Sequence, residues 1–477
     1  MSDANNVTSD TSITDCPNPF PVPRPAPFPA CGRTIELDRT DFFGDDRNLT
    51  HTTISPNTCE IDRVDWYEDD LSRNAGLITA ANVNTVPANG KVVGFETPFN
   101  HQQHIMFIGS NDQHIHELVF PVNNKWAHND LTLQLSATNA AVGSNLTGYI
   151  TVHDSQQHVD YVSQDGHVRE LWFDTTWHAH DLWDDAHHID ANVPLAVPTS
   201  SLNGYYTSSN QEQHVDYISA TDGHVRELWY DHGINTLWQP HDPWVDAHNA
   251  NAQTPLPVAN SALAGYQTSW DNQQHIDFIS GVPGNFRISE LWYDTAWHFN
   301  DMTGAASRTN LPAPMPAANS AIGGFPSPSN REQHVNFVTN TGQVIEYVFD
   351  NPNWSFNNLS IRGNIQSVVA SPQTMRGYQQ VSNNQVANNQ VRVEFISTDN
   401  HVRELRFDGT NWTGRDLSVV GIGQPNFWQV STNALAGSRL ASWQTSIDIP
   451  QIGIVNEQHH VAYIGTDNRV HELLHGP

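Results

Sequence analysis

Seven glutamates, Glu117, Glu170, Glu227, Glu290, Glu346, Glu404 and Glu472, recur in near-identical settings about 53 to 68 residues apart. Six are followed three positions later by an aromatic (Phe120, Phe173, Tyr230, Tyr293, Phe349, Phe407) and soon after by a tryptophan (Trp126, Trp177, Trp238, Trp297, Trp354, Trp412). In the seventh copy the sequence sets Leu474 in the aromatic's place. A carboxylate accepts hydrogen bonds from hydroxyls, and an aromatic face takes an apolar C–H surface, so the trio suits a sugar ring. It suits sheet packing equally well, with the Glu buried against backbone N–H groups. The residue types leave these two readings open.

Other chemistry is poorly served. Glycoside hydrolysis needs two carboxylates at a set separation, whereas a Glu repeated seven times is multivalent or architectural. No Gly-x-Ser-x-Gly, His-Glu-x-x-His, P-loop or dinucleotide fingerprint occurs, so no catalytic residue and no cofactor is assigned. The chain has 26 histidines. His104, His158, His214, His275, His334 and His459 recur after Gln or within a Gln-His run, and His114, His167, His224 and His401 open the next segment. Metal ligation needs convergent ligands, but equivalent copies in a ring are spread apart. The cluster His178, His180, His187 and His188 is read as structural or solvated, and no metal ligand is assigned.

The elements that must position these groups are strands. In the second copy Gly148-Tyr149-Ile150 precedes Gln157 to Val162, then His167 to Asp174, then Trp177 to Leu182. The middle segments alternate apolar and polar residues and are rich in β-branched and aromatic types. Between them Gln164-Asp165-Gly166 is a hairpin signal, matched by Asp222-Gly223, Thr341-Gly342, Asp399-Asn400 and Asp467-Asn468. In the fourth copy Val282-Pro283-Gly284-Asn285 lengthens the hairpin. No stretch shows helical spacing over a helix's length, so the chain reads as almost wholly β with loops. The Pro- and Ala-rich joints 194–198, 255–257 and 311–316 read as long connections on one rim, where binding residues are commonly carried.

A four-stranded repeat of this period predicts an all-β, seven-bladed β-propeller. The first copy of the Trp strand, Trp66 to Leu71, precedes every other element, and the last Glu has no Trp after it. One blade is therefore expected to join the N-terminal strand to the C-terminal strands, closing the ring. The predicted organisation is a polar and Pro-rich arm over 1–60 and the propeller over 61–477. Pro17 to Pro29 reads as an extended polyproline-like spacer, and Cys16, Cys31 and Cys59, all outside the repeats, give an odd count that speaks against a disulfide framework.

With 21 basic against 51 acidic residues the formal charge is −30. Such a field repels phosphate backbones, so nucleic acid is excluded as a partner class. No run of about 18 apolar residues and no basic leader is present. The chain therefore reads as soluble, without membrane insertion, either cytoplasmic or exported by a route that uses no Sec-type signal.

Over about residues 60 to 477 the repeats resemble those of the fungal and bacterial fucose-binding lectin propellers. Val168-Arg169-Glu170-Leu171-Trp172-Phe173-Asp174 with Trp177, and Val402 to Asp408 with Trp412, carry the likeness. Seven copies are closer to the seven-bladed bacterial members than to six-bladed fungal ones. The resemblance implies pockets between adjacent blades, with Glu117 facing Phe173 and Trp177, Glu170 facing Tyr230 and Trp238, Glu227 facing Tyr293 and Trp297, and Glu346 facing Phe407 and Trp412. It also implies an Arg two residues before the aromatic that ends the second strand. Here that position holds Val159, Val215, Ile276, Val335 or Val393, with His158 and its equivalents, or Arg392, one step away. The function expected is multivalent, non-covalent recognition of glycans or glycoconjugates, fucose-like sugars among them, without enzymatic turnover. The alternative is a propeller scaffold for protein partners, and self-association is left open.

Overall fold

The computed structural model describes residues 66–77, 90–121, 125–199, 201–234, 236–307, 311–365, 368–380, 390–421, 428–449 and 454–475, with short strands at 35–37, 50–54 and 61–62. The Pro-rich segment 17–29 and the three cysteines lie outside the described residues, as does most of the 1–60 arm.

Seven antiparallel four-stranded sheets follow one another along the chain. Blade 1 runs Val92–Thr97, Gln102–Ile108, Ile115–Phe120, Ala127–Asp130, and blade 2 runs Leu146–Thr151, Gln156–Val162, Val168–Phe173, Trp177–Asp181. Blades 3 to 6 span 203–241, 263–301, 322–358 and 375–416. Blade 7 comprises Ala441–Ile449, Ile454–Ile464, Val470–His475 and, as its fourth strand, Trp66–Asp70. The closing register sets Glu472 against Asp69 and His475 against Trp66. Tyr463 Oη donates to Glu68 Oε1 at 2.9 Å, and Arg469 pairs with Asp70 at 3.0 Å. The two ends of the chain thus make one blade, as the split repeat predicts.

The first strands of successive blades lie against one another, so they line the ring's axis. Both faces of a blade are covered by neighbours, which explains why second strands are buried almost throughout instead of on alternate residues. Seven apolar clusters, one per interface, make up the core. One of them joins Trp443, Ile464 and Val470 of blade 7 to Val92, Leu118 and Trp126 of blade 1. The hairpin turns use left-handed residues where expected, at Gly166, Gly223, Gly342, Asn400 and Asn468.

The connections correct one expectation, because they contain short helices. Leu182–Ile189 and Pro243–Ala250 have eight residues each, and single turns follow blades 1, 4, 5 and 7. Each starts where the fourth strand ends on an Asx whose side chain accepts an N–H three residues on, as Asp181 does from Asp184 at 3.0 Å and Asp242 from Val245 at 2.9 Å. The run is too short for helical periodicity to show in sequence, and the cap is its only signal. Among the described residues no helix is long and apolar enough to cross a membrane.

Candidate functional site

Residues two apart on a strand share a face. Along the third strand of blade 2, Glu170 and Trp172 therefore point one way and Phe173 the other. Across the ladder Glu170 pairs with Asp160 and Trp172 with His158, so His158 and Glu170 are diagonal neighbours on one face. His158 Nδ1 lies 2.8 Å from Glu170 Oε1. The contact recurs at 2.7 to 3.0 Å in His104–Glu117, His214–Glu227, His275–Glu290, His334–Glu346 and His460–Glu472. In blade 6 Arg392 takes the place of the His and pairs with Glu404. The glutamates are thus bonded to side chains, not to the backbone N–H groups expected of a packing Glu. Asn129, Asn300 and Asn357 hold the second oxygen of Glu117, Glu290 and Glu346. His241 does so for Glu227 at 3.2 Å.

Two sequence assignments in the seventh blade need correction by one residue. His460, not His459, faces Glu472, and the aromatic position three after Glu472 is His475, opposite Trp66, not Leu474. A slip of one residue moves a side chain to the other face of the sheet. His459 accordingly points into the interface with blade 6, where it lies 3.2 Å from Glu394 and 3.1 Å from Arg392. This interface is sealed and polar. Burial and the neighbouring Glu404 push Glu394 up to about 8, and burial and Arg392 bring His475 down to about 4.

The face carrying Glu in one blade meets the opposite face of the next, since Tyr149 Oη of blade 2 donates to Gln213 of blade 3 at 3.0 Å. Glu227, Tyr293 and Trp297 accordingly line one cleft of about 710 Å³ between blades 3 and 4. Trp229, His241 and Gln274 line it too. Burial raises the pKa of Glu227, but His214 and His241 outweigh it and hold the carboxyl down at about 2. Burial lowers His241, and Glu227 with Asp246 reverses this, to about 9. The cleft therefore presents a fixed carboxylate beside a cationic imidazole. Tyr293 is 37% exposed, whereas Trp297 is 4% exposed and packs on Leu263 and Ile276.

A second cleft of about 860 Å³, between blades 4 and 5, contains Glu290, Trp292, Phe349, Trp354 and Arg331. For the remaining expected sets, each Trp turns toward the interface with the preceding blade, Trp238 buried there and Trp177 and Trp412 partly buried against it. Trp177 packs with Leu131, Trp238 with Leu182 and Trp412 with Leu359. Each stays 5.4 to 5.7 Å from its own aromatic, Phe173, Tyr230 or Phe407. Glu117, Glu170 and Glu346 are at most 3% exposed, as are Glu227 and Glu290, so the neighbouring side chains and not the burial of the Glu set the two clefts apart. Sequence reasoning missed Trp229 and Trp292, two residues after the Glu and on its face; period-two spacing was the available signal. The Val159 series lies on the opposite face as buried core, and the Glu takes its basic partner from the His158 series. His178, His180 and His188 bond separately to Asp174, Asp185 and Asp184, while His187 stacks on Trp183.

No protein-family model and no curated protein matches the chain. Solved structures similar to it include the six-bladed fucose-recognising lectin of Aleuria aurantia, 15% identical over 71% of this chain and 93% of that one, with a TM-score of 0.45. They also include AofleA of Arthrobotrys oligospora, 12% identical over 70% and 86%, TM-score 0.44. A third is the SapL1 lectin in complex with α-methyl fucoside, 16% identical over 80% and 94%, TM-score 0.39. The seven-bladed fold rests on the sheets described above.

Proposed function

We propose that this propeller binds glycans non-covalently in clefts between blades, principally those between blades 3 and 4 and between blades 4 and 5. The observation that carries the reading is the Glu227 cleft. There an ionised carboxylate accepts from sugar hydroxyls, His241 donates, and the exposed ring of Tyr293 offers a platform for the C–H face. Both oxygens of Glu227 already have imidazole partners, which orient the group and leave its remaining lone pairs for the ligand. Glu290 with Trp292 and Phe349 offers a second cleft in which Asn300 stands in the place of His241, giving more than one site on one rigid ring and hence avidity on a glycan-bearing surface.

The test is titration calorimetry of the full chain against methyl fucoside and a panel of other monosaccharides, for the wild type, Glu227→Gln and Tyr293→Ala. Each variant is expected to lower the number of sites while leaving the affinity of those that remain. Loss of all binding from one substitution, with the fold intact, overturns multivalency. Unchanged stoichiometry in both variants overturns the placement of the site.

A further inference from the structure

The interface between blades 2 and 3 differs from the others at its mouth. His153 and Asp154 follow the first strand of blade 2, and His232 follows the third strand of blade 3. Other blades have Ser209 with Asn210, or Trp270 with Asp271, at the first pair, and Thr175 or Thr295 at the His232 position. Among the described residues no other interface brings two histidines from these positions to one carboxylate.

Asp154 Oδ2 lies 3.3 Å from His153 Nε2 and 3.2 Å from His232 Nε2. The three atoms fall within 4.8 Å of one another. Asp154 Oδ2 is buried and has no hydrogen-bond partner. The surrounding bonds explain why. Tyr149 donates to Gln213 Oε1 at 3.0 Å, which turns the amide N–H2 of Gln213 toward His232 Nε2 at 2.8 Å. That ring nitrogen is then an acceptor with no proton to give Asp154, and the lone pair that now holds Gln213 is the one a metal takes when the amide turns away.

We propose that His153 Nε2, Asp154 Oδ2 and His232 Nε2 form a binding site for a divalent transition metal of the zinc type. A tetrahedral zinc with bonds of about 2.0 to 2.1 Å sets its ligand atoms about 3.3 Å apart, close to the two spacings found here. Two imidazoles and one carboxylate suit zinc and its neighbours in the first transition row, whereas calcium and magnesium favour all-oxygen sets. The outer contacts fit a metal site. His153 stacks on Tyr206 with ring centres 5.4 Å apart. Thr151 donates to Asp154 Oδ1 and touches His158 at 3.0 Å, which in turn bonds Glu170 at 2.8 Å. With three protein ligands, all partly exposed, the fourth position opens outward and can take water or a ligand hydroxyl. The site stands on these atoms alone and does not depend on sugar binding elsewhere in the ring.

The remaining His and Asp groupings have partners that account for them. Asp130 and Asp242 cap helices, and Arg392 fills the space between Glu404 and His459.

The experiment uses the full chain stripped with EDTA and titrated with zinc by calorimetry, then with cobalt(II) followed by visible absorption. One saturable site is expected, with the intense d–d bands of tetrahedral cobalt. His232→Ala and Asp154→Asn are each expected to weaken zinc at that site at least tenfold, while His188→Ala, an exposed His elsewhere, leaves it unchanged. His232→Ala, whose ring lies at the rim, guards against a folding defect in Asp154→Asn, and circular dichroism confirms the fold of each. Absence of saturable zinc binding in the wild type overturns the proposal, and so does wild-type affinity in both variants.

Discussion

Asp160→Asn with Asp277→Asn is expected to make the protein more stable at neutral pH and to flatten the dependence of its stability on pH. Both aspartates are fully buried, and neither carboxyl oxygen has a hydrogen-bond partner. Asp160 Oδ2 lies where a Cβ on Gly204 would sit, 2.6 Å away, and Asp277 Oδ2 stands 2.7 Å from the same point on Gly324. The absence of a side chain on the next blade's inner strand thus makes room for each carboxyl. Burial, and then the charge of Glu170 or Glu290, raises both pKa values well above the usual range. Folding therefore requires these groups to be neutral, whereas the unfolded chain ionises them near 3.9. Their contribution is complete below that value and is lost as pH rises toward the native pKa, because the folded state then binds the extra proton. Each such group contributes a slope of about 1.4 kcal/mol per pH unit, so the pair contributes about 3. Asn removes the proton requirement and keeps the shape; Asn336 already occupies the equivalent place in blade 5, opposite Gly377. Urea denaturation at pH 5, 6 and 7, compared between the two proteins, reads the difference while other titrating groups cancel. A stability difference between wild type and variant that stays constant over that range would refute the argument.

Deleting residues 1–72 removes the Trp66–Asp70 strand from blade 7 and is expected to abolish cooperative melting, while deletion of 1–45 leaves it intact; equal melting of the two truncations would show that the ring closes otherwise. Imidazole NMR should find His241 and His334 cationic up to about pH 9, because Glu227 and Asp246, and Glu332 and Glu346, outweigh the burial that lowers them. The stabilisation these two histidines supply is present below about 6.5 and lost as pH rises through 9. His475 should instead stay neutral until about pH 4.

The ring was legible because its blade is written seven times in strand-period spacing, and its closure because the split copy leaves Trp66–Leu71 without its strands and Glu472 without its Trp. What escaped was written once or depended on register. His459 and His460 are adjacent, and only the ladder opposite Val470–His475 decides which faces Glu472. The capped turns after the fourth strands are shorter than a helical period can reveal. The tryptophans were assigned to pockets by the family resemblance, yet Trp238 is buried in the interface core and Trp297, though it borders the cleft of blades 3 and 4, is 4% exposed, while Tyr293, Trp229 and Trp292 lie nearer the open clefts. The repeated His looked evenly dispersed and therefore inert, but His104, His158, His214, His275 and His334, with His460 in place of His459, each hold their blade's Glu, and His153 meets His232 across an interface that no repeat alignment displays.

The most direct test of the central claim is a glycan array probed with the labelled full-length chain, with and without competing free monosaccharide. A cleft that holds the Glu227 carboxylate, the His241 imidazolium and the exposed ring of Tyr293 predicts binding to a defined set of glycans, abolished by the matching free sugar and weakened in Glu227→Gln. A folded protein that binds no glycan on the array, or binds in a manner no sugar inhibits, would contradict the account.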